Sequence, residues 1–197
     1  MNWRQDRRAN AFWNWWKARP EQSTIGHDSK LEEAAALLAA YDDALGMEIA
    51  QSPDGQTRLV VTAYGDPDHR QSVEELFLRR PDIPGLDPVA FKPAAPGEFE
   101  LDLDGLQVSM DELRFVPLRD ATQLGFLGIA VYFESGSPVP QDLRFAAALL
   151  ATMTVLGELA FMDTIGLVRV GEGDPGHRLP LMELPAFIEW SRHRPAS

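Results

Sequence analysis

A cluster of aromatic residues near the start of the chain, Phe12-Trp13-Asn14-Trp15-Trp16, constrains the fold more than any other feature. At 100° per residue, Phe12, Trp15 and Trp16 share one face of a helix, and Trp13 widens that face to roughly 160°. An isolated helix cannot keep so large an apolar surface in water. We therefore expect a helix over residues 3–19 that docks on the rest of the chain or on a partner.

The charge of the chain is unevenly distributed. The first 20 residues carry five basic side chains and one acidic, a net charge of +4, and the other 177 carry 13 basic and 29 acidic, a net charge of −16. The whole chain therefore has a net charge of −12. A body this acidic repels nucleic acids and anionic membrane surfaces over most of its area. We expect no nucleic-acid partner, and the composition argues against a membrane.

The absence of cysteine excludes disulfides, thiolate catalysis and thiolate-bound metals, and is compatible with a reducing cytoplasm. The start of the chain lacks the apolar stretch of a signal peptide. Residues 145–161 are the most apolar segment, but Glu158 within it would be costly in a bilayer. We therefore predict that residues 141–161 form the central buried helix of a cytoplasmic protein.

The spacing of apolar residues predicts the element order ααββαβββββαβα. Turn signals such as Ser52-Pro53-Asp54-Gly55 and Asp104-Gly105 join consecutive strands as hairpins. This pattern predicts an α+β fold, a two-layer sandwich in which helices pack on one face of a mostly antiparallel sheet. We expect a single domain over residues 1–197, in which the aromatic basic helix of residues 1–20 docks on a body over residues 29–193.

The segment Gly171-Glu172-Gly173-Asp174-Pro175-Gly176 matches the dinucleotide-binding pattern GxGxxG. A dinucleotide site needs a helix that begins inside the motif, so that the helix amides face the pyrophosphate. Pro175 and Pro180 break such a helix, and Glu172 and Asp174 would repel phosphate. We interpret the segment as a surface hairpin turn and expect no cofactor.

The four histidines, His27, His69, His177 and His193, lie in polar loops or near the ends of predicted elements. They do not form the i, i+4 pairs of a helical metal site. We expect them to be solvated side chains, and we expect no bound metal.

Glu158 is the one acidic residue inside the strongly apolar predicted helix. If it is buried, it could serve as an acid or base, together with nearby Asp163 or with His69. Alternatively, the last turns of the helix emerge at an edge, and Glu158 caps a neighbouring element or pairs with an arginine.

The aromatic cluster has three interpretations. Aromatic residues at helical spacing are usually packed within the molecule, and this interpretation is favoured here. The side chains of Phe12, Trp13, Trp15 and Trp16 could instead bind a protein partner, or a second copy of the chain. A third interpretation makes the basic, tryptophan-rich helix an anchor at a membrane interface.

Several short motifs occur in a recognisable order along most of the chain. They are the aromatic helix of residues 12–16, a helix end LxxYD at 38–42, a strand end VxxxG at 61–65, the proline-rich stretch 81–93 that ends in Ala90-Phe91-Lys92-Pro93, then Asp104-Gly105-Leu106 and Leu156-Gly157-Glu158. In this order the chain resembles a family of uncharacterised bacterial proteins that share a domain of unknown function. Leu86 stands where that family has an aromatic residue. The resemblance implies a bacterial α+β protein without an established activity, and it draws attention to Glu158 and to residues 90–93.

These observations favour a soluble, non-catalytic binding protein that interacts with other proteins. Its acidic body would suit a basic protein partner, which it could mask, as a toxin-neutralising protein does. The alternative is a small hydrolase or ligand-binding enzyme that uses Glu158 as a buried acid or base.

Overall fold

In a computed structural model, the described part of the chain comprises residues 3–18, 28–51, 54–95, 97, 100–103, 105–118, 125–134, 138–174 and 176–193. Clustering of contacts divides the chain into two compact units, Met1–Lys92 and Pro93–Ser197. The described residues form helices and strands in both units, and the α+β class is confirmed.

The first unit contains three α-helices and one three-stranded sheet among its described residues. The elements are α1 (Trp3–Lys17), α2 (Asp28–Tyr41), β1 (Gly46–Gln51), β2 (Thr57–Thr62), a 3-10 turn (Pro67–His69), α3 (Arg70–Leu78) and β3 (Leu86–Ala90). The sheet has the order β1-β2-β3, in which β1 and β2 are antiparallel and β2 and β3 are parallel.

The aromatic face of α1 forms much of the core of the first unit. Ala9, Phe12, Trp13 and Trp16 are at most 1% exposed. Buried side chains from α2, α3 and β2, among them Leu38, Leu76 and Leu59, belong to the same unit. Since a fully buried side chain of this kind contributes roughly 1.5–3 kcal/mol, the docked face of α1 is a major stabilising feature of the unit.

The second unit contains a hairpin, a four-stranded sheet and three α-helices among its described residues. The elements are β4 (Glu100–Leu103), β5 (Leu106–Ser109), a 3-10 turn (Met110–Glu112), β6 (Leu113–Leu118), β7 (Leu127–Phe133), α4 (Gln141–Leu156), α5 (Glu158–Thr164), β8 (Ile165–Val170), β9 (Leu179–Pro180), a 3-10 turn (Leu181–Glu183) and α6 (Leu184–Arg192). Strands β4 and β5 pair with each other, and the larger sheet has the order β8-β7-β6-β9.

Within the described residues, four strand pairs are antiparallel, and the pairs β2–β3 and β7–β8 are parallel. The strands of the described part of the chain are distributed over three sheets, although the sequence suggested one. The described residues Glu172, Gly173, Asp174 and Gly176 are exposed, but the expectation of a hairpin is wrong, because β8 pairs with β7 and β9 pairs with β6. The single domain stays a prediction, and the predicted turn residues Ser52, Pro53 and Asp104 lie outside the described residues.

The predicted helix over residues 141–161 is two helices, α4 and α5, which meet at Gly157 with a bend of 106°. Gly157 has a positive φ of 77°, and a Cβ on it would lie 2.8 Å from the backbone nitrogen of Ala94. The amide of Ala95 donates to the carbonyl of Thr154 at 2.9 Å. The approach of residues 94–95 therefore requires a glycine at 157, and the bend follows from it.

Among the described helices, no single one is both long enough and apolar enough to cross a membrane. Only α4 and α5 taken together reach that length and composition, across their 106° bend.

Candidate functional site

The aromatic side chains of α1 pack within the first unit. The indole N–H of Trp13 donates to the carbonyl of Leu76 at 2.9 Å, and its ring meets that of Phe77 edge to face at 5.5 Å. Trp15 is 9% exposed, and its indole N–H donates to Glu33 on α2 at 3.0 Å. These side chains are therefore packed within the molecule, since almost none of their surface faces solvent.

Trp16 is 1% exposed, like Trp13, and its ring stands edge to face with that of Trp15 at 5.0 Å. Its Nε1 has no hydrogen-bond partner within the described part of the chain. A partner-binding role for Phe12, Trp13, Trp15 and Trp16 would require α1 to leave this position, and it stays a prediction.

The outward side of α1 is basic. Arg4, Arg7 and Arg8 are exposed, and they line a cavity of about 440 Å³ together with Trp3, which is 62% exposed. The structure thus separates two features that the sequence had joined: the tryptophans of residues 13–16 face the core and the arginines face solvent.

His69 lies beside Asp42 in the first unit, with its Nδ1 3.1 Å from the carboxylate oxygen Oδ2. This hydrogen bond raises the pKa of His69 above its ordinary value. Burial raises the pKa of Asp42, but hydrogen bonds from Ser72, His69 and the Ala44 amide outweigh it and hold that pKa below its ordinary value. His69 and Asp42 therefore form a charge-assisted pair within the unit.

The remaining histidines have separate environments. His193 hydrogen-bonds the carbonyl of Glu189 through Nδ1 at 2.7 Å, and His177 is exposed in the second unit, while His27 lies outside the described residues. Over the described ranges, no cluster of three or more His, Asp and Glu side chains has the arrangement of a metal site.

Glu158 is the first residue of α5 and is completely buried. Asp163 lies five residues further along the same helix and is exposed. Five residues correspond to a rotation of roughly 140° around the helix axis, so α5 directs the two carboxylates to different faces. The structure therefore does not place Glu158 and Asp163 as a pair on one face of α5.

A groove beside α6 is an apolar candidate site of the second unit. We call it the α6 groove, and it is a cavity of about 560 Å³ whose principal lining residues are Phe115 and Pro117 of β6, Leu179 of β9, and Glu183, Phe187 and Trp190. The last three residues are spaced i, i+4 and i+7, which brings them to one side of a helix. An adjacent side of α6 is anchored in the core by Leu184 and Ile188.

The aromatic rings of the α6 groove contact one another. The rings of Phe115 and Phe187 are 5.5 Å apart and nearly perpendicular, at 73°. Phe187 and Trp190 are 5.6 Å apart and tilted by 42°. Trp190 is 51% exposed, so a large part of its indole faces solvent, and the exposed Glu183 lines the same groove.

A second cavity of the same unit, of about 420 Å³, lies where β7 and β8 end. We call it the arginine cleft, and its principal lining residues are Tyr132, Phe133, Arg144, Gly171, Glu172 and Arg178. The guanidinium of Arg144 lies over the ring of Phe133 at 5.3 Å, and that of Arg178 over the ring of Tyr132 at 4.9 Å. Stacking of this kind restrains both arginines.

Sequence reasoning singled out neither cavity, although two signals for them were present. The spacing of Glu183, Phe187 and Trp190 on a short amphipathic helix marks the α6 groove. For the arginine cleft, the glycine-rich turn 171–176 was recognised but interpreted only as a turn. Arg144 and Arg178 are 34 positions apart in the sequence, and local patterns carry no information about their proximity.

Comparisons of the chain with models of known protein families, with curated proteins and with solved structures yield no match. The resemblance to a family of uncharacterised bacterial proteins stays a prediction.

Proposed function

We propose that this is a non-catalytic, cytoplasmic binding protein of bacterial origin, and that its α6 groove takes a basic segment of a protein partner. The observation that carries the proposal is the aromatic surface of half-buried Phe187 and exposed Trp190 in a groove that the exposed Glu183 also lines. Partly exposed tryptophans of this kind contribute strongly to protein interfaces, because they bury a large area on binding.

The chemistry of the groove favours a partner segment that combines apolar residues with lysine or arginine. A cation over the face of Trp190 would gain roughly 0.5–2 kcal/mol, depending on how far it is desolvated. Glu183, about two helical turns from Trp190, would supply a carboxylate for a second cation of the segment. The apolar walls formed by Pro117 and Leu179 would accept the uncharged side chains of the segment.

The charge of the second unit favours the same kind of partner. Residues 93–197 carry 15 acidic and seven basic side chains, a net charge of −8. Such a field accelerates the approach of a basic protein and disfavours an acidic one. The binding of this partner would mask its basic surface.

A pair of peptide probes tests the proposal. We expect a fluorescently labelled Leu-Lys-Leu-Leu-Lys-Leu peptide to bind, as measured by fluorescence anisotropy, and its counterpart with Glu in place of Lys to bind at least about tenfold more weakly. Trp190→Ala should weaken binding of the lysine peptide by at least about tenfold, since it removes the central aromatic contact.

Two glutamates of this helical region provide a matched control. Glu183→Gln should weaken the lysine peptide by roughly three- to tenfold, because it removes the carboxylate in the groove. Glu189→Gln makes the same charge change at an exposed position outside the lining of the groove, and should have little effect. Equal losses in both variants, or full binding by the Trp190→Ala variant, would mean that the peptide binds through general charge attraction, and the proposal would be rejected.

A second candidate function is a small hydrolase or ligand-binding enzyme that uses Glu158 as an acid or base. It is favoured by one observation, the complete burial of this carboxylate. Glu158→Gln preserves the shape of the side chain and removes its ability to donate or accept a proton as an acid or base. If this variant retains both wild-type ligand binding and wild-type stability, Glu158 has no such role.

A further inference from the structure

We propose that the arginine cleft binds a small zwitterionic ligand, which carries both a carboxylate and an amino group, as a free amino acid does. This site is distinct from the α6 groove, and the proposal does not depend on the function proposed above. It rests on the position of the cleft in the sheet and on the charges that line it.

The cleft lies at the carboxyl edge of a parallel strand pair. Strands β7 and β8 run in the same direction, with Val131 opposite Val170, and β8 ends at this edge while β7 continues beside β6 to Phe133. The amide of Gly171 donates to the carbonyl of Val131 at 2.8 Å, which extends the ladder by one residue before the chain turns away. Crevices outside the carboxyl ends of parallel strands are frequent ligand sites, because loops there diverge from a rigid sheet.

Aromatic contacts hold the cationic groups of the cleft in place. Arg144 lies over Phe133, and its Nε donates to the carbonyl of Val139 at 3.2 Å. This contact uses one N–H of the guanidinium and leaves the terminal N–H groups as donors for a carboxylate. Because the stack already restrains the side chain, a ligand would lose little entropy in ordering it.

Gly171 explains how Tyr132 is placed in the cleft. A Cβ at residue 171 would lie 2.2 Å from Cζ of the Tyr132 ring, so only glycine allows the ring to lie against the turn. The same ring carries the guanidinium of Arg178 at 4.9 Å. The first glycine of the GxGxxG pattern thus serves the packing of a tyrosine and not the approach of a pyrophosphate.

The charges of the cleft are of two kinds. Arg178 pairs with Asp174 at 3.0 Å, and the Gly176 amide together with Arg178 lowers the pKa of that carboxyl. Arg144 and Glu172 line the same cavity, and neither forms an ion pair within the described ranges of the chain.

A ligand with a single charge would satisfy only one of these two groups. An anion bound by Arg144 would share the cavity with the Glu172 carboxylate, and a cation bound by Glu172 would share it with the Arg144 guanidinium. A zwitterion can direct its carboxylate to Arg144 and its amino group to Glu172. The volume of about 420 Å³ accommodates a molecule the size of an amino acid, and the rings of Tyr132 and Phe133 provide apolar contact for its side chain.

Three probes with similar aliphatic chains separate these possibilities: norleucine carries both charges, hexanoate only the carboxylate, and hexylamine only the ammonium. Binding is followed in ¹H–¹⁵N correlation spectra through the amide signals of Gly171 and Gly173. We expect norleucine to bind at least about tenfold more tightly than either of the others. Equal affinities for norleucine and hexanoate, or shifts with none of the three probes, would overturn the proposal.

Variants of Glu172 and Arg144 test which residue contacts the amino group of the ligand and which contacts its carboxylate. Glu172→Gln should reduce the affinity for norleucine to that for hexanoate, without weakening hexanoate. Arg144→Gln should weaken both by at least about tenfold. Arg169→Gln makes the same charge change at an exposed position of β8 outside the lining of the cleft, and should bind norleucine as the wild type does.

Arg144→Lys keeps the positive charge and guards against a loss of folding in the glutamine variant. It should weaken norleucine and hexanoate by similar factors, because an ammonium cannot form the two parallel hydrogen bonds that a guanidinium donates to a carboxylate. Unchanged binding in the lysine variant, or equal losses in the Arg144→Gln and Arg169→Gln variants, would show that Arg144 does not hold the carboxylate.

Discussion

Trp13 and Trp16 offer a direct measurement of what an indole hydrogen bond contributes to this fold. Both side chains lie on α1, both are 1% exposed, and replacement by phenylalanine removes the same atoms from each. They differ in one respect, since Trp13 donates to the Leu76 carbonyl and Trp16 has no partner among the described residues. The cost of the cavity should therefore be similar in the two variants, and the contribution of the hydrogen bond should differ.

The magnitude of the difference follows from the two environments. Trp13→Phe loses a buried hydrogen bond, which costs roughly 0.5–1.5 kcal/mol, while the Leu76 carbonyl keeps its bond from the Arg79 amide at 3.2 Å. Trp16→Phe removes a buried donor whose lost hydration costs the wild type roughly 1–3 kcal/mol. We expect Trp13→Phe to lower the free energy of unfolding by about 1.5–4.5 kcal/mol more than Trp16→Phe does.

Urea unfolding of both variants and of the double variant, followed by circular dichroism, measures this difference. The dependence of the unfolding free energy on urea concentration should be the same in all of them, because each exposes the same surface on unfolding. If Trp16→Phe costs as much as Trp13→Phe, the N–H of Trp16 is satisfied in solution and the reasoning is refuted.

Two further predictions concern the His69–Asp42 pair and Gly157. Because Asp42 raises the pKa of His69 above 6.5, the pair stabilises the fold below that pH and its contribution disappears as the pH rises through the raised value. Because the pKa of Asp42 is lowered from 3.8, this contribution is also lost in acid, as the pH falls below about 3.8. Asp42→Asn should therefore remove the loss of stability at both high and low pH, as measured by urea midpoints between pH 3 and 9. Gly157→Ala should cost roughly 2–4 kcal/mol in urea unfolding, because it combines a positive φ with the contact at Ala94. Gly173→Ala is its control, because Gly173 has a φ of 71° and open space around the added methyl group, and this variant should cost only about 1 kcal/mol. Equal costs in the Gly157 and Gly173 variants would mean that the close approach of Gly157 to Ala94 is not present in solution.

Local patterns predicted the elements well where each element is determined by its own residues. Helix α1 was expected over residues 3–19 and extends over Trp3–Lys17, because its apolar face repeats with the period of a helix. The α+β class followed from the order of such segments, since that order requires no knowledge of which strands pair.

The features that could not be predicted depend on contacts between distant residues. The apolar pattern of residues 141–161 continues across Gly157, and only the approach of residues 94–95 explains why the helix breaks there. Strand β9 has two residues and exists because it pairs with Arg114 and Phe115 of β6. The arginine cleft likewise combines three segments of the chain, which no periodicity connects.

Self-association through α1, if it occurs, should depend on charge and not on the aromatic cluster. The aromatic face is occupied by the core of the first unit, and the exposed side presents Arg7, Arg8 and Trp3. The acidic remainder of a second copy would be the complementary surface, and attraction between exposed charges is screened over a distance of about 10 Å at 0.1 M salt. A dimer formed in this way should dissociate as salt is raised from about 0.05 to 0.5 M in sedimentation velocity experiments, and the double variant Arg7→Glu with Arg8→Glu should remain monomeric at every salt concentration. A dimer that strengthens with salt and persists in the double variant would instead indicate that α1 exchanges between copies through its aromatic face, because kosmotropic salts such as sulfate strengthen apolar contacts.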